Sequence, residues 1–238
     1  MIAEQYHDFA RQLVSDLEEA LSEEISIIGV MSCDAYLMSH PESDVVITTI
    51  DVPVPHGVKI LIGPILNNQN LRKIRTKLTG VLEAKRRGKA HAFLQQVLRP
   101  ELFVRNMQLK GGVDAYIDYL GSLAVASGLA TNEFVRDVHL REQVSSTAFT
   151  DCLAMPHSID TYAKRSFIAV LHNDTAIPWG RHDVNFVLLI GLAQEDMGYF
   201  RDALDIIIEL FCSVDDTMRL MQTNTFEEFC RAFTGERP

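Results

Sequence analysis

Leu140-Arg-Glu-Gln-Val-Ser-Ser-Thr-Ala-Phe-Thr-Asp-Cys-Leu-Ala-Met-Pro-His157-Ser158 sets one histidine directly behind a proline, at the end of a short apolar run. An arginine and several hydroxyl side chains precede it within twenty residues. Near neutral pH an imidazole is partly unprotonated and its ring nitrogen is nucleophilic, which suits it to take up and pass on a phosphoryl group. A guanidinium and hydroxyl donors are what the charge of a transient phosphohistidine requires nearby. The bland alternative is a strand-end histidine bonded to backbone and chemically silent.

Working outward, Ser166-Phe-Ile-Ala-Val-Leu171 and Val184-Asn-Phe-Val-Leu-Leu-Ile190 read as strands, with a turn at Ile177-Pro178-Trp179-Gly180 between them. Helical patterns over residues 200–211 and 225–233 close the chain. Upstream, Gly112 opens a helix, Gly128 ends it, and Thr131 is a plausible N-cap for a second helix over residues 131–141. Residues 70–99 are helical and heavily charged, and Pro100 marks a junction. Before that, Phe9, Leu13, Leu17 and Leu21 give a four-residue spacing that predicts a helix over residues 2–22. Apolar runs at residues 25–30, 44–50 and 58–62 predict three strands, the last stopped by Gly63-Pro64. Near-continuous apolar strands alternating with helices imply an α/β fold with a sheet buried on both faces.

Composition limits the function classes. The 238 residues suffice for two modest domains, and 47% hydrophobic with 23% charged residues is a globular balance. A formal charge of −10 argues against a nucleic-acid-binding surface. The local exception is Arg72, Lys73, Arg75 and Lys77 followed by Lys85, Arg86, Arg87 and Lys89, read as a solvated helix face or as a docking strip for an acidic partner. Cys33, Cys152, Cys212 and Cys230 have no paired spacing, so four buried thiols in a reducing compartment are expected. No run approaches a membrane span and no targeting segment opens the chain, which makes cytoplasm the expected location. Neither a metal-ligand spacing nor a phosphate-cradling Gly-x-x-x-x-Gly-Lys occurs, so no cofactor or metal is expected.

Leu140-Arg-Glu-x-x-x-Ser-Thr147, Leu153-Ala-Met-Pro-His157, Ile177-Pro-Trp-Gly180 and the strand from Val184 fall in one order over more than a hundred residues. Residues 99–236 thereby resemble a mannitol/fructose-type (type 2) EIIA domain of the bacterial sugar phosphotransferase system. Residues 1–80, through Asp44-Val-Val-Ile-Thr-Thr49 and Val58-Lys-Ile-Leu-Ile-Gly-Pro64, are similar to part of an EIIB domain, with residues 81–98 as a helical linker. An EIIB-like unit followed by EIIA is similar to the C-terminal half of BglG-type and MtlR-type transcription regulators.

The resemblance implies His157 as phosphoacceptor through Nε2, with Nδ1 held by a neighbour. Arg141 is implied as phosphate clamp, although an arginine ending a helix also satisfies carbonyls and the dipole. Glu142, Ser146 and Thr147 are implied as supporting residues, the first as an orienting or structural partner and the other two as hydroxyl donors. The implied partners are the phosphocarrier HPr or an EIIB protein, and a homodimer is compatible. The implied function is a phosphorylation-sensing module of a regulator or antiterminator; the alternative is an EIIA component of sugar transport. Two departures stand out. The chain is expected to open on its first helix and so to lack the strand, loop and cysteine with which an EIIB begins, as a fragment or a degenerate module would. The stretch Gly198-Tyr-Phe-Arg-Asp202 lacks the second histidine of transport-type EIIA domains, which favours a regulatory endpoint. His56 copies the Pro-His dipeptide in a turn without an arginine–hydroxyl segment, while His172 and His182 flank the Trp179 turn, either near the site or, as is commoner, as exposed turn histidines.

Overall fold

Strand pairing and two-sided burial organise the chain into two compact units, Met1–Lys85 and Arg86–Pro238. The computed structural model describes residues 2–3, 7–21, 23–160 and 162–235. The first unit contains β1 (Ile2–Ala3), α1 (His7–Leu21), β2 (Val30–Met31), α2 (Cys33–Ser39), β3 (Val45–Thr48) and β4 (Val58–Leu61). Helix α3 (Asn68–Val97) begins in it and continues into the second unit. The sheet order is β2-β1-β3-β4 and every pairing is parallel.

The side-chain period of two explains how this sheet is covered. Ile47 and Ile60 pack with Leu13, Leu17 and Leu21 of α1 and with Ile74 and Leu78 of α3. Val46, one residue along β3, packs instead with Tyr36 of α2 and Val52. Residues 4–6 and 22 of the expected helix lie outside the described residues. The chain opens on β1 rather than on the helix. Two residues are too short to give a periodic signal, and only pairing with both β2 and β3 makes them a strand. Residues 25–29, expected as strand, alternate between half-buried and exposed but join no ladder, which starts at Val30.

The second unit contains β5 (Leu98–Arg105), α4 (Gly112–Ala126), α5 (Asn132–Val144), β6 (Ala148–Thr150), β7 (Leu153–Ala154), β8 (Phe167–Trp179), β9 (His182–Gly191), α6 (Met197–Cys212), α7 (Val214–Met221) and α8 (Phe226–Phe233). Its mixed sheet runs β5-β8-β9-β7-β6. Along β8, Phe167, Ala169 and Leu171 face α4 and α5, whereas Ile168 and Val170 face α6 to α8. Along β9, Val187 and Leu189 share the first face and Phe186, Leu188 and Ile190 the second. Burial on both sides is why these runs carry no polar alternation. Gly191 is required where β9 pairs with Phe167, because a Cβ there would lie 2.1 Å from that ring.

Pro100 lies inside β5 rather than ahead of a new element. That strand is at the sheet edge, where a missing N–H is tolerated, and its register shifts between Leu98 and Phe103. The expected turn at Ile177–Gly180 is also displaced, since Ile177 to Trp179 continue β8 and the turn is Gly180-Arg181, with Gly180 at φ +65°. Within the charged run, Lys73 donates to the Leu61 carbonyl, Arg75 pairs with Glu24 and Lys85 with Asp44. Arg86 and Arg87 pair with Asp202 and Glu209 on α6. Such exposed pairs are each worth under about 1 kcal/mol, but they make these cations surface partners within their own unit rather than a bare docking strip. The four cysteines form no disulfide but are not buried as expected: three are half-buried and Cys212 is exposed.

His172 is the largest departure from the expected surface histidines. It sits on β8 with no exposed area, stacked on Phe186 at 4.3 Å between ring centroids, and its Nε2 has no partner. Burial, assisted by the nearby Arg105 guanidinium, pushes its pKa down to about 4. The native state therefore holds the ring neutral while the unfolded chain protonates it below about 6.5. That stabilisation is complete above pH 6.5 and is lost as the pH falls toward 4, by roughly 3 kcal/mol in all. In the His172→Phe variant the loss over that window is expected to shrink by about this amount, read as urea unfolding free energies at successive pH values. Equal pH slopes for the two proteins would refute the assignment.

Candidate functional site

Helix α5 carries the site. Thr131 accepts from the Phe134 N–H at 3.2 Å and starts it, and Phe134 and Val138 bury its inner face. Its last turn presents Arg141 and Glu142, and Ser145 leaves the helix in extended conformation. Glu142 accepts from the Thr147 N–H at 3.0 Å, from the Thr147 hydroxyl at 2.5 Å and from the indole N–H of the buried Trp179 at 3.0 Å. One carboxylate thus ties the helix end, the hydroxyl-bearing turn and the β8–β9 hairpin together. The turn of that hairpin lies close by, for a Cβ on Gly180 would be 2.9 Å from the Ser146 hydroxyl oxygen.

His157 follows β7 and forms an isolated parallel bridge with Ile190 of β9, whose N–H donates to the Pro156 carbonyl at 2.9 Å. Its Nδ1 lies 2.9 Å from the Met155 carbonyl oxygen. A carbonyl only accepts, so Nδ1 carries the hydrogen and Nε2 of the neutral ring keeps its lone pair. The ring is half-buried and lines a cavity of about 430 Å³ with Arg141, Ser146, Thr147 and Ser158. Phe149, Tyr162, Met197 and Phe200 give that cavity apolar walls.

Four of the five residues singled out in the sequence therefore meet, and their roles separate. Arg141 spends Nη1 on the Ser145 carbonyl at 2.9 Å, as an arginine near a helix end does, while also lining the cavity. Ser146 accepts from the Ala148 N–H at 3.3 Å, which leaves its own hydrogen available. Thr147 is buried and its hydroxyl donates to Glu142, so it is not a spare donor as expected. Glu142 stands behind the cavity as a brace and does not line it. His182 bonds Asp151 through Nδ1 at 2.6 Å and lines no part of the cavity, and His56 is an exposed turn residue of the other unit. The stretch 198–202 lies in the start of α6, where Phe200 reaches the cavity.

A family model for the phosphoenolpyruvate-dependent sugar phosphotransferase system, EIIA 2, matches residues 96–235. The chain belongs to this family. A probable licABCH operon regulator of Bacillus subtilis is 26% identical over 197 residues, 82% of this chain and 29% of the regulator. The transcriptional regulator ManR of the same organism is 24% identical over 178 residues, covering 71% of this chain and 27% of that protein. The chain thus spans under a third of the length of both regulators. A mannitol-specific phosphotransferase enzyme IIA component of Staphylococcus aureus is 30% identical over 120 residues, 49% of this chain and 81% of the component. Among solved structures, nitrogen regulatory protein IIA-Ntr of Neisseria meningitidis matches at TM-score 0.53 and 17% identity over 59% of this chain and 99% of that one. The complex of IIA and phosphorylated IIB for mannitol from Escherichia coli matches at TM-score 0.51 and 14% identity, over 58% of this chain and 99% of the matched chain. Both show that the EIIA 2 unit has their α/β fold.

Among the described residues no helix is long and apolar enough to cross a membrane, and no group of three His, Cys, Asp or Glu side chains converges as a metal site. Asp137 and Ser158 are the cavity neighbours that sequence reasoning missed. The available signal was the four-residue spacing of Asp137 and Arg141 on one helix, which puts them on one face.

Removing the brace is costly. Glu142→Ala leaves the Thr147 and Trp179 donors without their acceptor, and a loss of about 2–5 kcal/mol is expected in denaturant unfolding. Glu142→Gln retains an acceptor oxygen and is expected to lose less. Equal stability of Glu142→Ala and wild type would show that the carboxylate braces nothing.

Proposed function

We propose that His157 accepts a phosphoryl group and that the chain is the phosphorylation-sensing module of a transcriptional regulator or antiterminator controlled by the phosphotransferase system. The donor is phospho-HPr or a phosphorylated EIIB, in the cytoplasm. The observation that carries the acceptor role is the Nδ1–H bond to the Met155 carbonyl, which leaves the Nε2 lone pair as the nucleophile of the EIIA 2 cavity. Nε2 forms the new N–P bond as phosphorus leaves the donor atom, and the electron pair of the broken bond stays on the donor. Nδ1 keeps its hydrogen, donated to the Met155 carbonyl, throughout. Arg141 and Ser146 line the same cavity, which supports a reading in which the guanidinium's remaining donors and the serine hydroxyl bind the phosphoryl oxygens.

The regulatory reading is supported by the extent of the two regulator matches, which cover 82% and 71% of this chain and so reach beyond the EIIA 2 unit. We read residues 1–80 as an EIIB-like module with no cysteine before Cys33, a reading supported by their four parallel strands. The added charge on His157 then alters contacts with a partner or another domain. The alternative, an EIIA passing phosphate to a transporter's EIIB, is favoured by the likeness to the mannitol component. It is disfavoured by Met197 and Phe200 walling the cavity beside a stretch that lacks a second histidine.

Labelled phosphoenolpyruvate with Enzyme I and HPr is expected to label the chain, and His157→Ala to abolish the label. Retention of label on addition of EIIB supports the regulatory endpoint, and rapid transfer to EIIB supports transport instead. A chain that takes no label, or one whose label survives His157→Ala, would overturn the acceptor assignment. Arg141→Lys keeps the charge but loses the planar fork, and labelling about tenfold slower is expected.

A further inference from the structure

Asp137 is buttressed in a way that the phosphoryl-acceptor reading does not use. It lies on α5 one helical turn before Arg141. Its Oδ2 accepts from the Ser158 hydroxyl and from the Asp160 N–H, the latter at 3.0 Å. Ser158 immediately follows His157 and lines the same cavity. The turn after the histidine is therefore fastened to the helix that carries the cavity's arginine. On its other side the ring is fixed by the Met155 carbonyl and by the bridge to Ile190.

We infer that Asp137 is a positioning residue for phosphoryl transfer: through Ser158 and the Asp160 N–H it holds His157 in register with Arg141. This rests on the acceptor role proposed for His157. In-line transfer demands that nucleophile, phosphorus and charge-stabilising donors be placed together before reaction. Met155 fixes which ring nitrogen is free, but a single bond to Nδ1 leaves the tilt of the 157–160 turn unset. The two bonds to Asp137 supply that second constraint, and they spring from the same helix as the guanidinium. Motion of α5 then carries histidine and arginine together rather than apart. The Ser158 hydroxyl hydrogen points to the carboxylate, so this serine acts as a bridge and not as a phosphoryl donor.

The chain as it stands is phosphorylated in single turnover by phospho-HPr at a series of phospho-HPr concentrations. Asp137→Ala is expected to lower the limiting rate about tenfold or more, with the half-saturating concentration within about twofold of wild type. Asp137→Asn keeps an oxygen that accepts from both donors, and a limiting rate within about threefold of wild type is expected. Ser158→Ala removes one tie and is expected to fall between them; should Asp137→Ala fail to fold, the Ser158→Ala and Asp137→Asn pair decides. A wild-type limiting rate in Asp137→Ala and Ser158→Ala overturns the inference, and so does a change confined to the half-saturating concentration. An Asp137→Asn protein as slow as Asp137→Ala also overturns it, because charge rather than placement would then be at work. A wild-type chain that takes no label fails at the acceptor role itself, an outcome distinct from label that arrives at an unaltered rate.

Discussion

Burial of the antiparallel β8–β9 pair on both faces is the constraint from which the EIIA 2 unit follows. Its side chains alternate between the layer of α4 and α5 and the layer of α6 to α8. Any register slip by one residue would exchange the two apolar sets. Fixing that register also fixes Ile190, and with it the bridge that ends in His157. The cavity forms where the two layers meet at this strand, with Phe134 and Arg141 contributed by α5 and Met197, Phe200 and Leu204 by α6.

Helix α5 turns that scaffold into a chemical site. Glu142 braces the hydroxyl-bearing turn and the hairpin tryptophan, while Asp137 fastens the turn beyond the histidine. Between them stands Arg141, on a helix whose other face is anchored by Phe134 and Val138. Both carboxylates have donors arranged around them, so they serve as fixed points while the guanidinium remains next to the cavity. Polar groups here act mainly on one another, and the apolar walls supplied by α6 limit water beside them.

The sequence was informative where a residue's role is set by its immediate neighbours in the chain. Thr131 as a cap and the apolar runs of β3, β4, β8 and β9 read correctly because their signals are local. It failed where a distant segment does the deciding. His172 carries the same side chain as an exposed turn histidine, and only the stacking of Phe186 and the cover of Phe229 on α8 make it a buried neutral ring.

By itself the sequence determined the α/β class, the helix that bears Arg141, and the candidacy of His157, since periodicity, capping and a nucleophile beside a cation are properties of contiguous residues. Only the tertiary structure decided that β1 is a strand, that Glu142 is a brace outside the cavity, and that Asp137 reaches the turn after His157. The physical reason is common to all three. Each depends on hydrogen bonds between groups far apart in the chain, whose geometry exists only once the layers have packed.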